Sequence, residues 1–261
     1  MPRAVSSWSL QLRVLHALML REIITRYGRK NIGFMWLFIE PLLMTSFIAA
    51  MWYFVRAHAF TNLNIVAFIV TGYPIMMMWR NAANRAIGAI DANQGLLYHR
   101  NVKVLDTILA RIFLEICGAT IAQIGIMLGL CVLNIIPWPV DFVEMLWAWG
   151  LMAVFAVSMG LIICAVAFKF EALGKLWSTI SFLMMPLSGV FFFVSSLPTS
   201  VQNILLKIPM IHGTEIFRHG YFGNNVITMG NSWYLLTCDI LLLYLGLLLI
   251  RKTTVRMGGS A

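Results

Sequence analysis

The chain has 261 residues, of which 61% are hydrophobic and 11% charged, and its mean hydropathy is +0.85. A soluble domain carries about 45–50% apolar and about 25% charged residues, so this composition excludes a soluble globule. The formal net charge is +9, from 19 Lys and Arg against 10 Asp and Glu, and what it means depends on where the cations fall.

Residues 1–33 read as neither a secretory signal nor a span, because Arg13 and His16 interrupt the apolar stretch and no small-residue cleavage site follows. From Leu20 the pattern turns amphipathic. Leu20, Ile23, Ile24 and Tyr27 fall at i, i+3, i+4 and i+7, with Arg21, Glu22, Thr25, Arg26 and Arg29 on the other side. This predicts a basic amphipathic helix in the membrane interface.

Crossing a hydrocarbon core takes about 20 apolar residues per helix, and six runs qualify. They cover about 34–55 (containing Pro41), 63–79 (Gly72, Pro74), 107–136, 145–168, 173–194 and 233–250, the fifth kinked by Pro186 if its helix is continuous. Segments 80–103 and 169–175 connect spans on one side. Segment 195–232 contains two apolar patches, 201–208 and 211–222, each too short to cross, which predicts re-entrant or surface helices. The expected fold is an all-α membrane protein with one six-span domain over 34–250 and a short tail over 251–261.

With six spans, both termini share a side, and that side holds 16 of the 19 Lys and Arg, leaving Arg56, Lys207 and Arg218 opposite. The positive-inside rule places both termini in the cytoplasm. Topology thus accounts for the surplus charge, and no nucleic-acid partner is expected.

The chemistry of an enzyme is missing. A phosphate-binding loop needs GxxxxGK followed by Ser or Thr, yet Gly174-Lys175 is followed by Leu176 and Lys169 stands where the first Gly belongs. The cysteines Cys117, Cys131, Cys164 and Cys238 lie in apolar runs without CxxC spacing, so neither a disulfide framework nor a metal site is expected. Charges inside spans need partners. Glu115 has Arg111 one turn before it, which suggests an i, i+4 pair. Glu40 has no basic neighbour on its own helix, and Asp239 is expected to reach Arg218 or Lys207 if the outer segment folds back.

Three motifs resemble a known family. The run 20–27 (LREIITRY), followed by Ile32-Gly33-Phe34-Met35-Trp36 and Glu40-Pro41, resembles the N-terminal signature of ABC-2 type permeases that export capsular polysaccharide and O-antigen. The run 102–107 (VKVLDT), continuing to Arg111 and Glu115, resembles the start of span three in the capsule-exporting branch, and 212–222 (HGTEIFRHGYF) is similar to its outer signature.

The resemblance implies a homodimer in the bacterial inner membrane, with two copies of a separate cytoplasmic ABC ATPase carrying ATP and Mg, and no cofactor in this chain. It also implies a periplasmic co-polymerase and an outer-membrane export protein. Asn84, Arg85, Asp91 and Asn93 in 80–103, and Glu171 and Lys175 in 169–175, become ATPase-coupling candidates, and His212, Glu215, Arg218 and Tyr221 mark the outer motif. The close alternative is an O-antigen or teichoic acid exporter, and the distant ones are a lipid-modifying enzyme or a channel or scaffold subunit.

Passing a polysaccharide through hydrocarbon requires a sealed canal, because each unpaired hydroxyl costs a few kcal/mol. Aromatic faces let sugar rings stack without fixing one register. Trp36, Trp52, Tyr53, Trp177, Phe191, Phe192 and Phe193 are the canal candidates. Gly125 and Gly129 offer a small-residue face for close helix contact.

Overall fold

The computed structural model describes residues 7–27, 32–56, 63–97 and 102–258, and among these the regular structure is entirely helical. The helices are α1 (Ser7–Tyr27), α2 (Ile32–Arg56), α3 (Ile65–Val70), α4 (Tyr73–Ala86), α5 (Gln94–Leu97), α6 (Val104–Val132), α7 (Phe142–Lys169), α8 (Glu171–Leu183), α9 (Thr199–Leu205), α10 (Pro209–Phe222) and α11 (Ser232–Gly258). Among the described residues Val104–Val132, Phe142–Lys169 and Ser232–Val255 are long and apolar enough to cross a membrane, and Ile39–Met51 is a shorter apolar stretch.

Packing is organised on α7, against which α4, α6, α8, α10 and α11 all lie. Trp79 of α4 meets Phe155 of α7 edge-on at 6.0 Å. Gly213 lets α10 approach Met152 of α7 more closely than any side chain would allow. Asp141 caps α7 by accepting from the backbone N–H groups of Val143 and Glu144 at 2.8 Å and 3.0 Å. Outward, Phe47, Phe54, Leu128, Leu146, Leu241 and Tyr244 are exposed. Apolar surface on this scale marks a face that lipid or another protein covers.

Helix α1 starts at Ser7, a dozen residues before the amphipathic pattern is evident, and its polar stripe faces the protein. Gln11 donates to Asp106, Arg21 donates to Asn93 at 2.5 Å, and Glu22 pairs with Arg111 at 2.9 Å, while Leu12, Leu20 and Ile24 are exposed. Leu18, on the same stripe as Gln11 and Glu22, is buried.

Two of the expected spans are interrupted. The second divides at Thr71–Gly72 into α3 and α4, and α4 runs on to Ala86, so Asn84 and Arg85 are helical rather than in a loop. The fifth is not a kinked continuous helix: α8 ends at Leu183, and Pro186–Ser188, a left-handed Gly189 (φ 76°) and Val194–Ser196 follow as tight turns. Helix α10, expected to be re-entrant or superficial, is buried along nearly its whole length.

Candidate functional site

Breaking a helix inside apolar surroundings orphans backbone groups, and each must find another partner. Pro74 has no N–H, so the carbonyl four residues earlier, on Val70, loses its helical donor. Gln123 of α6 replaces it, donating from Nε2 at 3.2 Å. The Gly72 N–H turns to the Ile69 carbonyl, and Thr71 Oγ1 covers the carbonyls of Ala67 and Phe68 at 2.9 Å and 3.0 Å.

Helix α10 does the same for the unwound stretch after α8. The Arg218 guanidinium, fully buried, donates to the carbonyls of Gly189, Val190 and Phe192 at 2.6, 2.6 and 2.8 Å, and to Phe68 of α3 at 3.4 Å. Its carbon lies 3.9 Å from the Phe68 ring centroid and 5.0 Å from that of Phe193. Gly72 leaves room for it, since a Cβ there would stand 2.8 Å from Arg218 Nη2. Burial pushes the guanidinium down to about 9, with Glu215 pulling against the shift, so Arg218 stays charged at neutral pH.

The rest of the motif binds backbone as well. Glu215 accepts from the N–H groups of Val194 and Met229 at 3.3 Å and 2.9 Å, and Thr214 donates to Ser188 at 3.1 Å. His212 takes the Asn231 N–H on Nδ1 at 3.0 Å, so its Nε2–H faces the Leu206 carbonyl at 2.9 Å and the ring is neutral. Tyr221 donates to the Pro137 carbonyl at 2.5 Å, and His219 meets Glu144 at 2.7 Å. One 14-residue helix therefore ties four separate stretches of irregular backbone together.

At the other end of the bundle, segments 80–103 and 169–175 meet. A cleft of about 250 Å³ lies between Ile87, Gly88 and Asp91 on one wall and Phe168, Glu171, Gly174 and Lys175 on the other. Glu171 and Lys175 are exposed and paired at 2.7 Å, and this contact holds the Glu171 carboxyl below its usual range. Asp91 is exposed. Asn93, by contrast, is buried and holds Arg21 and the Ala89 carbonyl, Asn84 is half-buried, and Arg85 reaches Glu115 at 3.5 Å.

The ionic expectations need correction. Arg111 pairs with Glu22 on α1 and Glu115 with Arg85 on α4, in place of the i, i+4 pair, because interhelical partners lie closer than the turn above. Asp239 reaches neither Arg218 nor Lys207: Arg218 is committed to carbonyls, and the buried Asp239 carboxyl has no hydrogen-bond partner on either oxygen among the described residues. Glu40, half-buried on α2, and Arg80 both lie within electrostatic reach of Tyr73.

Among the canal candidates, Trp36 is exposed and Phe191 and Phe192 are half-buried. Trp177 and Phe193 are buried in the chain's own core, Phe193 against Phe68 at 4.9 Å, so both pack rather than face open space within a single chain. The side chains of Trp52 and Tyr53 lie outside the described residues. Gly125 and Gly129 face open space.

Gln123, Thr71, Thr214 and Asn231 were not singled out from sequence. Pro74 four residues after Val70 was the available signal for the first, since it demands a donor from another helix.

The chain is 61% identical to the capsule polysaccharide export inner-membrane protein CtrC of Neisseria meningitidis serogroup A, over 95% of this chain and 94% of that protein. It is 58% identical to the capsule polysaccharide export inner-membrane protein BexB of Haemophilus influenzae, over 94% of this chain and 93% of that protein. It is 28% identical to the polysialic acid transport protein KpsM of Escherichia coli, over 95% and 96% respectively. Residues 13–222 match the ABC-2 type transporter family. Matched through that stretch and to these relatives over almost its full length, the chain belongs to the ABC-2 type transporter family.

Proposed function

We propose that this chain is the permease subunit of an ATP-driven exporter that moves capsular polysaccharide across the bacterial inner membrane. The observation that carries the reading is the 61% identity, over 95% of the chain, to a protein named for capsule polysaccharide export. In this reading the chain crosses the membrane six times with both termini in the cytoplasm, the second crossing being α3 with α4 and the fifth being α8 with the unwound stretch after it. Helix α1 lies in the cytoplasmic interface, apolar side to lipid. Two copies enclose the canal.

The motor is separate. The sequence has no GxxxxGK[ST] loop, and the cleft between 80–103 and 169–175 gives a cytoplasmic ABC ATPase a surface built from two connections at once. Asp91, Glu171 and Lys175 are its exposed charges. ATP and Mg bind to that partner, and no cofactor is assigned to this chain. A periplasmic co-polymerase and an outer-membrane protein complete the route.

The test is complementation in Neisseria meningitidis lacking its own inner-membrane capsule export protein. Expression of this chain restores polysaccharide at the cell surface, detected with capsule antibody. Polymer retained in the cytoplasm, with the chain present in the inner membrane, refutes the assignment.

A further inference from the structure

The ends of α7 and α11 that carry Lys169 and Arg251 enclose an open groove of about 940 Å³. Small-molecule sites occupy about 300–1,000 Å³, so the groove has the capacity of one. Lys169, Arg251 and Lys252 line it together with Phe168, Phe170 and Val255, and all six are exposed. No carboxylate is among its described lining residues. Lys169 lies over the Phe170 ring at 4.9 Å. The adjacent acidic residue, Glu171, lines the neighbouring cleft and is paired with Lys175 at 2.7 Å. None of the three groove cations has an ion-pair partner among the described residues.

Cations near a helix C-terminus satisfy the helix dipole and the positive-inside rule, and that explains single lysines. It does not explain three converging on one apolar groove. The walls continue into the membrane-crossing stretches of both helices, which suits acyl chains, while the cationic rim sits where a headgroup phosphate lies. Basic pockets between membrane helices on the cytoplasmic side bind anionic lipid headgroups for this reason.

We propose that this groove binds an anionic glycerophospholipid, its phosphate on Lys169, Arg251 and Lys252 and its chains against Phe168, Phe170 and Val255. The inference rests on the membrane placement of α7 and α11 given above and is independent of the exported cargo.

Native mass spectrometry of the delipidated full-length chain tests it, using phosphatidylglycerol, phosphatidylcholine with the same acyl chains, and glycerol phosphate. Phosphatidylglycerol is expected to bind at least tenfold better than phosphatidylcholine, and glycerol phosphate to leave it bound, which separates a lipid from a free phosphate. Lys169→Gln, Arg251→Gln and Lys252→Gln each weaken binding about fivefold, and the charge-conserving triple variant K169R/R251K/K252R retains it. If the neutral variants fail to fold, Val255→Glu, at an exposed position, still abolishes the preference for the anionic lipid.

Equal binding of the two lipids by the unaltered chain overturns the proposal, and so does displacement by glycerol phosphate. Undiminished binding of phosphatidylglycerol by the folded neutral variants also overturns it. None of these readouts depends on export, so this proposal and the assignment of cargo fail separately.

Discussion

A guanidinium has five N–H donors in a fixed planar fork, and the two terminal nitrogens of Arg218 spend theirs on four backbone carbonyls. An ammonium is a compact point charge and cannot span that set. Arg218→Lys is therefore expected to lose at least two of these bonds, about 2 kcal/mol at about 1 kcal/mol each, and Arg218→Leu to lose more because all four carbonyls are left bare. Thermal unfolding of the purified chain in detergent measures both, and equal midpoints for the Arg218→Lys variant and wild type would refute the clamp. His212 adds a pH dependence. Burial holds its imidazole below the ordinary value, outweighing the Leu206 carbonyl and Glu215, which raise it. The unfolded state then takes up a proton first, at its ordinary pKa of about 6.5, so the His212 contribution is complete above that pH and declines as pH falls below it. Protonation also removes the acceptor for the Asn231 N–H. The unfolding midpoint should drop between about pH 7.5 and about pH 5.5, and drop less in His212→Gln; identical slopes count against this role.

Elements that cross a membrane are allowed irregular backbone only where protein supplies the missing partners. With α3 and α4 read as the proposed second crossing, their interruption meets this rule with Gln123, Thr71 and Arg218 as donors. Gln123→Leu is isosteric enough to keep the packing but leaves the Val70 carbonyl unpaired, at a cost of about 1–3 kcal/mol. Pro74→Ala in the same chain restores an N–H at that position and should recover part of the loss. Failure of the second change to rescue the first, in a double-mutant cycle read by thermal unfolding, would separate Gln123 from the proline break. The interruption itself was legible in sequence as Gly72 and Pro74 within one apolar run. The interruption after α8 was legible only as Pro186, because the helix ends three residues earlier and the turn at Gly189 depends on carbonyls that Arg218 and Thr214 hold from elsewhere.

For the whole molecule, the connections on one side form a shared cleft and the outer segment forms a buried hub, at opposite ends of α7. If the cleft seats the ATPase, Glu171→Lys and Asp91→Lys should each reduce surface polysaccharide severalfold with the chain still present in the membrane at wild-type level. Both side chains are exposed, so no folding penalty is expected beyond about 0.5 kcal/mol. Quantitative capsule immunoblotting against membrane abundance checks this, and normal surface polymer in both variants would remove these residues from the docking surface. Of the coupling candidates that the resemblance implies, Asp91, Glu171 and Lys175 are exposed on the cleft. Asn93, a candidate of the same origin, is buried, and its amide joins Arg21 across 72 residues of chain to the Ala89 carbonyl.

Sequence alone determined the class of protein, the positions of the three long apolar helices α6, α7 and α11 and the absence of a phosphate-binding loop, because hydropathy and spacing are local properties that need no partner. It also isolated 212–222 as a distinct segment. Tertiary structure decided what the charges do: Arg111 and Glu115 exchange their expected bond for partners on α1 and α4, Asp239 has none among the described residues, and Arg218 answers to backbone oxygens. In an apolar interior a polar group takes whichever partner the packing brings within reach, and that distance is written in the arrangement of helices rather than in the order of residues.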